Sequence, residues 1–429
     1  MRSLKTVFLL MLVLLTSQVQ AALDIRITQG VSDAVPIAIA PFVWQGNGAQ
    51  PERIGDIVMA DLKRSGRFSP LSRDQFAQPD TRPENIELYR WRAKNIDYLV
   101  VGRLIDEGAD NFKVQFQLFD TAAGRQLAGY NIPIRGNALR MAAHQVSDLI
   151  YEAIIGTRGA FNTQIVYVTS KKGVSNKYTL QVADADGYNA RTILSTRSPV
   201  MSPDWSPDAR QIAYVSFEDN RSSIYIQDVT SGSRQKVTSK RGINGAPAWS
   251  PDGMRLALTL SESGTPQIYV LNIATRQLTR VTNDRAINTE PAWMPDSETL
   301  IFTSNRTGKP QLYRVSASGG RPQRLTFEGE YNSAASVSPD GKKVAMVNGD
   351  NGRFRIAVLH LDTGETQILT KGKLDESPSF APNGSMIIYA TEEGGREVLA
   401  AVSDDGRVHQ TIVLKEGQVR EPDWSPFLN

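Results

Sequence analysis

The chain has 429 residues, 40% of them hydrophobic, no cysteine and a formal charge of +3. That length leaves room for two or three domains, and the missing cysteine excludes disulfides, thiolate metal sites and a lipidated cysteine behind a leader. The charge divides evenly: residues 22–158 carry 16 basic and 16 acidic side chains, and residues 159–429 carry 30 and 29. No basic stripe exists, so nucleic acid is excluded as an electrostatic partner.

Arg2 and Lys5 precede an apolar run from Val7 to Leu15, and Val19-Gln20-Ala21 fits a small-residue cleavage site. This order predicts a secretory signal peptide over residues 1–21, with the mature chain starting at Ala22. Nine apolar residues fall short of the roughly 20 that span a bilayer. No later stretch approaches that length, so the expected protein is not membrane-embedded and occupies the periplasm.

Residues 22–33, "ALDIRITQGVSD", alternate Leu23, Ile25 and Ile27 with Asp24, Arg26 and Thr28. They predict a half-polar strand at a chain end. Two readings stand: the ordinary first strand of the domain that follows, or a movable strand that adds to another protein's sheet.

Residues 34–158 mix helices and strands, the pattern of a small α/β domain. Ile37 and Ile39 alternate with Ala38 and Ala40 in a strand interrupted at Pro41. Ile54 to Ser65 has helical spacing and Gly66 as a stop. Tyr98 to Gly102 is a buried-type strand, residues 111–134 a hairpin, and Leu139 to Ile155 an amphipathic helix ended by Gly156.

From about Thr163 the chain repeats. The copies "PDWSPDARQIAYVS", "PAWSPDGMRLALTL", "PAWMPDSETLIFTS", "ASVSPDGKKVAMVN", "PSFAPNGSMIIYAT" and "PDWSPFLN" place their turn prolines at Pro207, Pro251, Pro295, Pro339, Pro382 and Pro426, spaced 44, 44, 44, 43 and 44. A period in the low forties with several short strands per unit predicts propeller blades. Ser-Pro-Asp-Gly suits a type I turn, with Pro presetting φ. The first repeat lacks the Trp-Ser-Pro strand, and the last has nothing after it. Residues 163–429 therefore form six blades, the C-terminal strand completing the first and hiding a sheet edge. The expected fold is an α/β N-terminal domain plus an all-β six-bladed β-propeller.

Trp205, Trp249, Trp293, Phe380 and Trp424 recur at one place per blade and are expected to fill the space between sheets. The segments before them, "NGAP" (244–247), "NTEP" (288–291), "NSAA" (332–335), "DESP" (375–378) and "REP" (420–422), should share one rim and present an adaptable binding face.

Catalytic signatures do not assemble. The three histidines, His144, His360 and His409, share no metal-ligand spacing, and no Gly-x-Ser-x-Gly elbow is present. Gly308-Lys309 lacks the glycine of a phosphate loop. Asp184-Ala185-Asp186-Gly187 resembles part of a calcium loop but reads as a turn. No catalytic, cofactor or metal residue is expected, and the protein reads as a non-enzyme. The competing reading is a propeller hydrolase or lyase acting on cell-envelope glycan. Its acid and base would come from carboxylates such as Glu290, Asp375 and Glu376.

A secreted α/β domain followed by six such blades resembles the TolB family of periplasmic β-propellers in the Tol-Pal system. The likeness rests on "NGAPAWSPDG", "NTEPAWMPDS", "DESPSFAPNG", "DADGYN", the terminal "WSP" and "PIAIAPF", and spans the mature chain. It implies that the lipoprotein Pal binds the rim, at Asn244, Ala246, Thr289, Glu290, Asp375 and Glu376. The family pattern can carry His where this chain has Ile243. The resemblance further implies that TolA binds the N-terminal segment, at Ala22, Leu23, Asp24, Ile25, Arg26, Ile27 and Thr28. It implies a monomeric adaptor that supports outer-membrane integrity and constriction during division, and that colicins exploit.

Overall fold

A computed structural model describes residues 24–29, 33–76, 86–171, 177–413 and 417–428. The predicted signal peptide, Ala22 and Leu23 lie outside the described residues.

Residues 164–424 form six antiparallel four-stranded meanders arranged as blades. Blade 2, for example, runs Val200–Trp205, Gln211–Ser216, Ser223–Asp228 and Arg234–Thr238. Blades 3 to 6 repeat this over 244–280, 288–324, 331–368 and 376–413. Blade 1 is built from both ends of the repeat. Gln164–Lys171 pairs with Gln418–Trp424, matching Ile165 to Trp424 and Thr169 to Val419. The C-terminal strand is thus the innermost strand of blade 1, the closure expected from the two incomplete repeats.

The aromatic residues wedge the blades together. Trp249 packs on Val215 and Ile226 of blade 2 as well as Leu256 of its own blade. Trp293 lies between Val270 and Phe302, and Phe380 between Val347 and Ile387. Trp293 Nε1 also donates to the Ala248 carbonyl at 3.0 Å, so its one polar atom is satisfied across the seam. The turn after the inner strand of blades 2 to 6 needs a left-handed residue. Gly253, Gly341 and Gly384 supply it at φ near 70°, whereas Ala209 and Ser297 occupy it with a side chain at φ 56° and 57°.

The N-terminal domain is a mixed sheet in the order Phe68–Pro70, Val35–Ile39, Tyr98–Gly108, Asn111–Asp120, Arg125–Arg135, with Val43–Gln45 also on Tyr98–Gly108. Helices α1 (Ile54–Arg64) and α3 (Leu139–Ile155) cover one face, burying Ile37, Ile39, Val100, Leu104 and Phe116 against Val58, Leu62, Val146 and Ile150. A short helix, α2 (Leu88–Arg92), caps the other face, where Trp91 packs on Ala38, Ala40 and Leu99. Both faces of Val35–Ile39 are covered, so its Ile37, Ala38 and Ile39 are all buried. Ala38 and Ala40 are small because α2 and its flanking loop lie close.

The strand Asp24–Gln29 does not join this sheet, so the reading as the domain's ordinary first strand fails. It pairs antiparallel with His409–Val413, the outermost strand of blade 6, setting Ile25 opposite Ile412 and Ile27 opposite Gln410. The N-terminal sheet ends in Phe68–Pro70 on one side and Arg125–Arg135 on the other, and the strand lies on neither; its backbone groups pair with the edge of blade 6 instead.

Candidate functional site

Each blade's inner strand starts at one rim and runs down the channel wall. The residue three places before its end is in the left-handed region in every blade: Ser202, Ala246, Glu290, Ala334, Ser377 and Glu421 have φ between 43° and 54°. Strand register slips at this point in all six sheets. The bulge turns backbone N–H groups sideways, and the neighbouring blade takes them. Glu421 accepts from Ser202 N, and Glu290 from Ala334 N at 3.0 Å. Two residues on, Asp423 accepts from Trp205 N at 2.9 Å and Asp204 from Trp249 N at 2.7 Å. Ser336 and Ser379 do the same for Phe380 and Trp424.

These carboxylates are the clustered channel acids that an enzymatic reading requires; Asp423 spends both oxygens between blades, and Asp204, Glu290 and Glu421 spend one each. Burial, with Asp423 beside it, pushes Asp204 well above the usual carboxylate range. Burial raises Asp423 as well, against the bonds it accepts from Ser379 and the tryptophan amides. Burial likewise raises Glu421 and Glu376. The channel opening forms a cavity of about 320 Å³, lined mainly by Pro, Ala and Ser with Asp204, Glu290, Glu421 and Asp423.

The rim residues named from sequence divide into two kinds. Ala246, Thr289, Glu290 and Glu376 line the rim and upper channel, partly exposed. Asn244 and Asp375 are 0% and 1% exposed. Asn244 receives the Lys240 N–H at 2.8 Å and donates to the Lys240 carbonyl at 2.8 Å. Asp375 accepts from Thr370 and Thr391, both at 2.5 Å. These two shape the rim loops from within and offer no side chain to a partner.

Sequence reading singled out Ile243 but missed the apolar series it belongs to. Ile243, Ile287 and Leu374 are 50%, 45% and 46% exposed at equivalent places in blades 3, 4 and 6, with half-buried Tyr331 between them. Large aliphatic side chains repeated at one exposed position form an apolar arc, a feature of interaction surfaces. The signal was present as Ile-Asn, Ile-Asn, Tyr-Asn and Leu-Asp dipeptides at the blade period.

At the other end of the molecule, Asp24, Ile25, Arg26, Ile27 and Thr28 lie along the blade 6 edge. Thr28 Oγ1 donates to the His409 carbonyl at 3.2 Å. The edge strand itself touches α1, since Gln410 Nε2 donates to the Arg64 carbonyl. Among the described residues, no helix is long and apolar enough to cross a membrane.

A propeller closed by its own C-terminal strand, with an α/β domain before it and an N-terminal strand added to the edge of blade 6, defines the architecture. Two family models divide the chain accordingly: the TolB amino-terminal domain matches residues 23–127, and the TolB β-propeller domain matches residues 151–428. The chain belongs to the TolB family. It is 65% identical over 424 residues to the Tol-Pal system protein TolB of Thioalkalivibrio sulfidiphilus, covering 98% of each chain. It is 57% identical over 410 residues to that of Nitrosococcus oceani, covering 95% of this chain and 94% of the relative. The crystal structure of TolB from Acinetobacter baumannii superposes with a TM-score of 0.88 at 42% identity, over 94% of this chain and 100% of that one.

Proposed function

We propose that this protein is a non-enzymatic periplasmic adaptor of the Tol-Pal system, docking Pal on the propeller rim and TolA through residues 22–33. Through these contacts it supports outer-membrane integrity and constriction during division, and colicins exploit the same surfaces. One observation carries the reading: Asp24–Gln29 belongs to neither domain's core sheet and instead adds to the edge of blade 6. A strand held mainly by edge pairing exchanges partners at modest cost, because another sheet edge restores the same backbone bonds. Tucked on blade 6, its N–H and C=O groups are occupied; released, they are available to TolA.

For Pal, the supporting features are the arc of Ile243, Ile287, Tyr331 and Leu374 beside Thr289, Glu290 and Glu376. Apolar anchors rimmed by polar groups are the usual make-up of a docking face. If Pal has different affinities for the tucked and released states, its docking shifts that equilibrium and TolA binding with it. The direct test is titration calorimetry with soluble Pal and the periplasmic part of TolA. Deleting residues 22–33 should abolish TolA binding and leave Pal binding in place. Ile243→Asp with Leu374→Asp should weaken Pal about 30-fold or more, the loss of one or two anchors at ~2 kcal/mol. Retained TolA binding by the deletion, or undiminished Pal binding by the pair, would sink the proposal.

A further inference from the structure

The two domains meet at a buried cluster of charges that the adaptor reading does not use. His144 on α3 is almost fully buried, with Asp61 of α1 on one side and Asp186 of the propeller on the other. Its Nδ1 lies 2.7 Å from Asp61 Oδ2, which also accepts from Ser147 at 2.7 Å. Its Nε2 lies 3.5 Å from Asp186 Oδ2 and has no other partner. Asp186 sits in the "DADG" turn between the two outer strands of blade 1, Lys177–Asp184 and Arg191–Thr196, so the histidine reaches across the domain boundary.

Every charged group that faces the imidazole can be named. From α1 come Asp61 and Arg64; from α3, Arg140 and, one turn on, Asp148; from the propeller turn, Asp184 and Asp186. Arg64 pairs with Asp61 at 3.2 Å and donates to the Ala185 carbonyl at 2.8 Å. Arg140 pairs with Asp186 and lies 3.6 Å from the centre of the Tyr188 ring. Asp61, His144 and Asp186 are close enough to share an ion, but the two guanidiniums already neutralise both carboxylates and Nδ1 is committed to Asp61.

A neutral His144 that donates through Nδ1 would turn its Nε2 lone pair toward the Asp186 carboxylate, which is repulsive. A protonated ring donates from Nδ1 to Asp61 and sets its positive charge against Asp186. We infer that His144 is a proton-operated latch between the domains, its imidazolium bridging Asp61 in one and Asp186 in the other. Burial by itself would depress the histidine, but the charge and hydrogen bond of Asp61, with Asp186 behind, outweigh it and raise its pKa. Burial likewise favours a neutral Asp61, yet His144 and Arg64 hold it below the usual carboxylate range. The sign follows. Stabilisation by the latch is complete below the ordinary histidine value of about 6.5 and is lost as pH rises through the raised value. Arg64 also carries the carbonyl that Gln410 of the blade 6 edge holds. Loosening the latch therefore disturbs the seat of Asp24–Gln29, a consequence that rests on the proposed function, whereas the latch itself does not.

The chain has only three histidines, so NMR of the imidazole nitrogens in the intact protein resolves each titration, with His144→Gln assigning the signal. His144 should titrate above 6.5, and Asp186→Asn, an exchange on the propeller side, should move it down. Thermal melts should show Asp186→Asn losing most against wild type in acid, the difference narrowing as pH rises past the His144 midpoint. If His144→Gln fails to fold, two-bond nitrogen couplings at Asp186→Asn still identify the responsive ring. A His144 midpoint at or below the ordinary value, or one that Asp186→Asn leaves unchanged, overturns the inference. These titrations use no partner, so they stand or fall separately from the Pal and TolA measurements.

Discussion

Asp148 offers a sharp test of how the interdomain linker is held. Its carboxylate on α3 accepts Phe161 N at 2.8 Å and Asn162 N at 3.3 Å, tying the segment after Gly156 back onto the helix. Gly159 packs so close that an added Cβ would lie 2.8 Å from the Asp148 Cα. Burial pushes the carboxyl up to about 6, against the pull of those two N–H groups. A raised carboxylate stabilises the fold while it holds its proton. That contribution fades as pH rises from the unfolded value near 3.8 through about 6. At 1.36 kcal/mol per unit, the loss is about 3 kcal/mol. Asp148→Asn keeps one acceptor and does not titrate, forfeiting about 1 kcal/mol for the second N–H bond. The variant should therefore be less stable than wild type near pH 4, cross it between pH 4 and 5, and be about 2 kcal/mol more stable at pH 8. Urea unfolding at each pH measures the difference directly. An offset between the two proteins that is the same at pH 4 and pH 8 would refute the reasoning.

Trp293→Ala should cost about 3–5 kcal/mol, since the ring fills the seam between blades 3 and 4 and its Nε1 bond is lost; chemical unfolding measures this. Ala209→Gly should stabilise by up to ~1 kcal/mol by relieving a left-handed turn that Gly253, Gly341 and Gly384 make in three other blades, read as a higher Tm. Asp423→Asn should flatten part of the acid stabilisation of the propeller. Burial raises this group, so the wild-type seam is strongest when it is protonated and weakens as pH rises; melts across pH 4 to 8 follow the difference.

The architecture was legible because its determinants are local and repeat. The Pro207 to Pro426 spacing set the blade period, and the two incomplete ends required closure through Trp424. The helices at Ile54 and Leu139 followed from spacing and a glycine stop. What escaped depends on long-range partners. The alternation from Leu23 to Thr28 announces a strand but carries no record of which edge it meets, so its place on blade 6 emerged only in three dimensions. Asn244 and Asp375 look like surface polar residues in a loop. Their burial comes from folded-back turns whose N–H groups need an internal acceptor. The left-handed residue in each inner strand falls on Ser, Ala and Glu, types that give no warning of positive φ. His144 and Asp186 lie on different domains, and only the docking of α3 against the blade 1 turn brings them together.

The claim that a tucked N-terminal strand and a TolA-bound one exclude each other is most directly tested by pinning the strand. Arg26 and Thr411 stand opposite one another in the pairing, and the cysteine-free chain leaves Arg26→Cys with Thr411→Cys as its only thiols. With the pair oxidised, TolA binding measured by calorimetry should vanish while Pal still binds, and reduction should restore it. TolA bound with equal affinity by the oxidised and reduced forms would contradict the account.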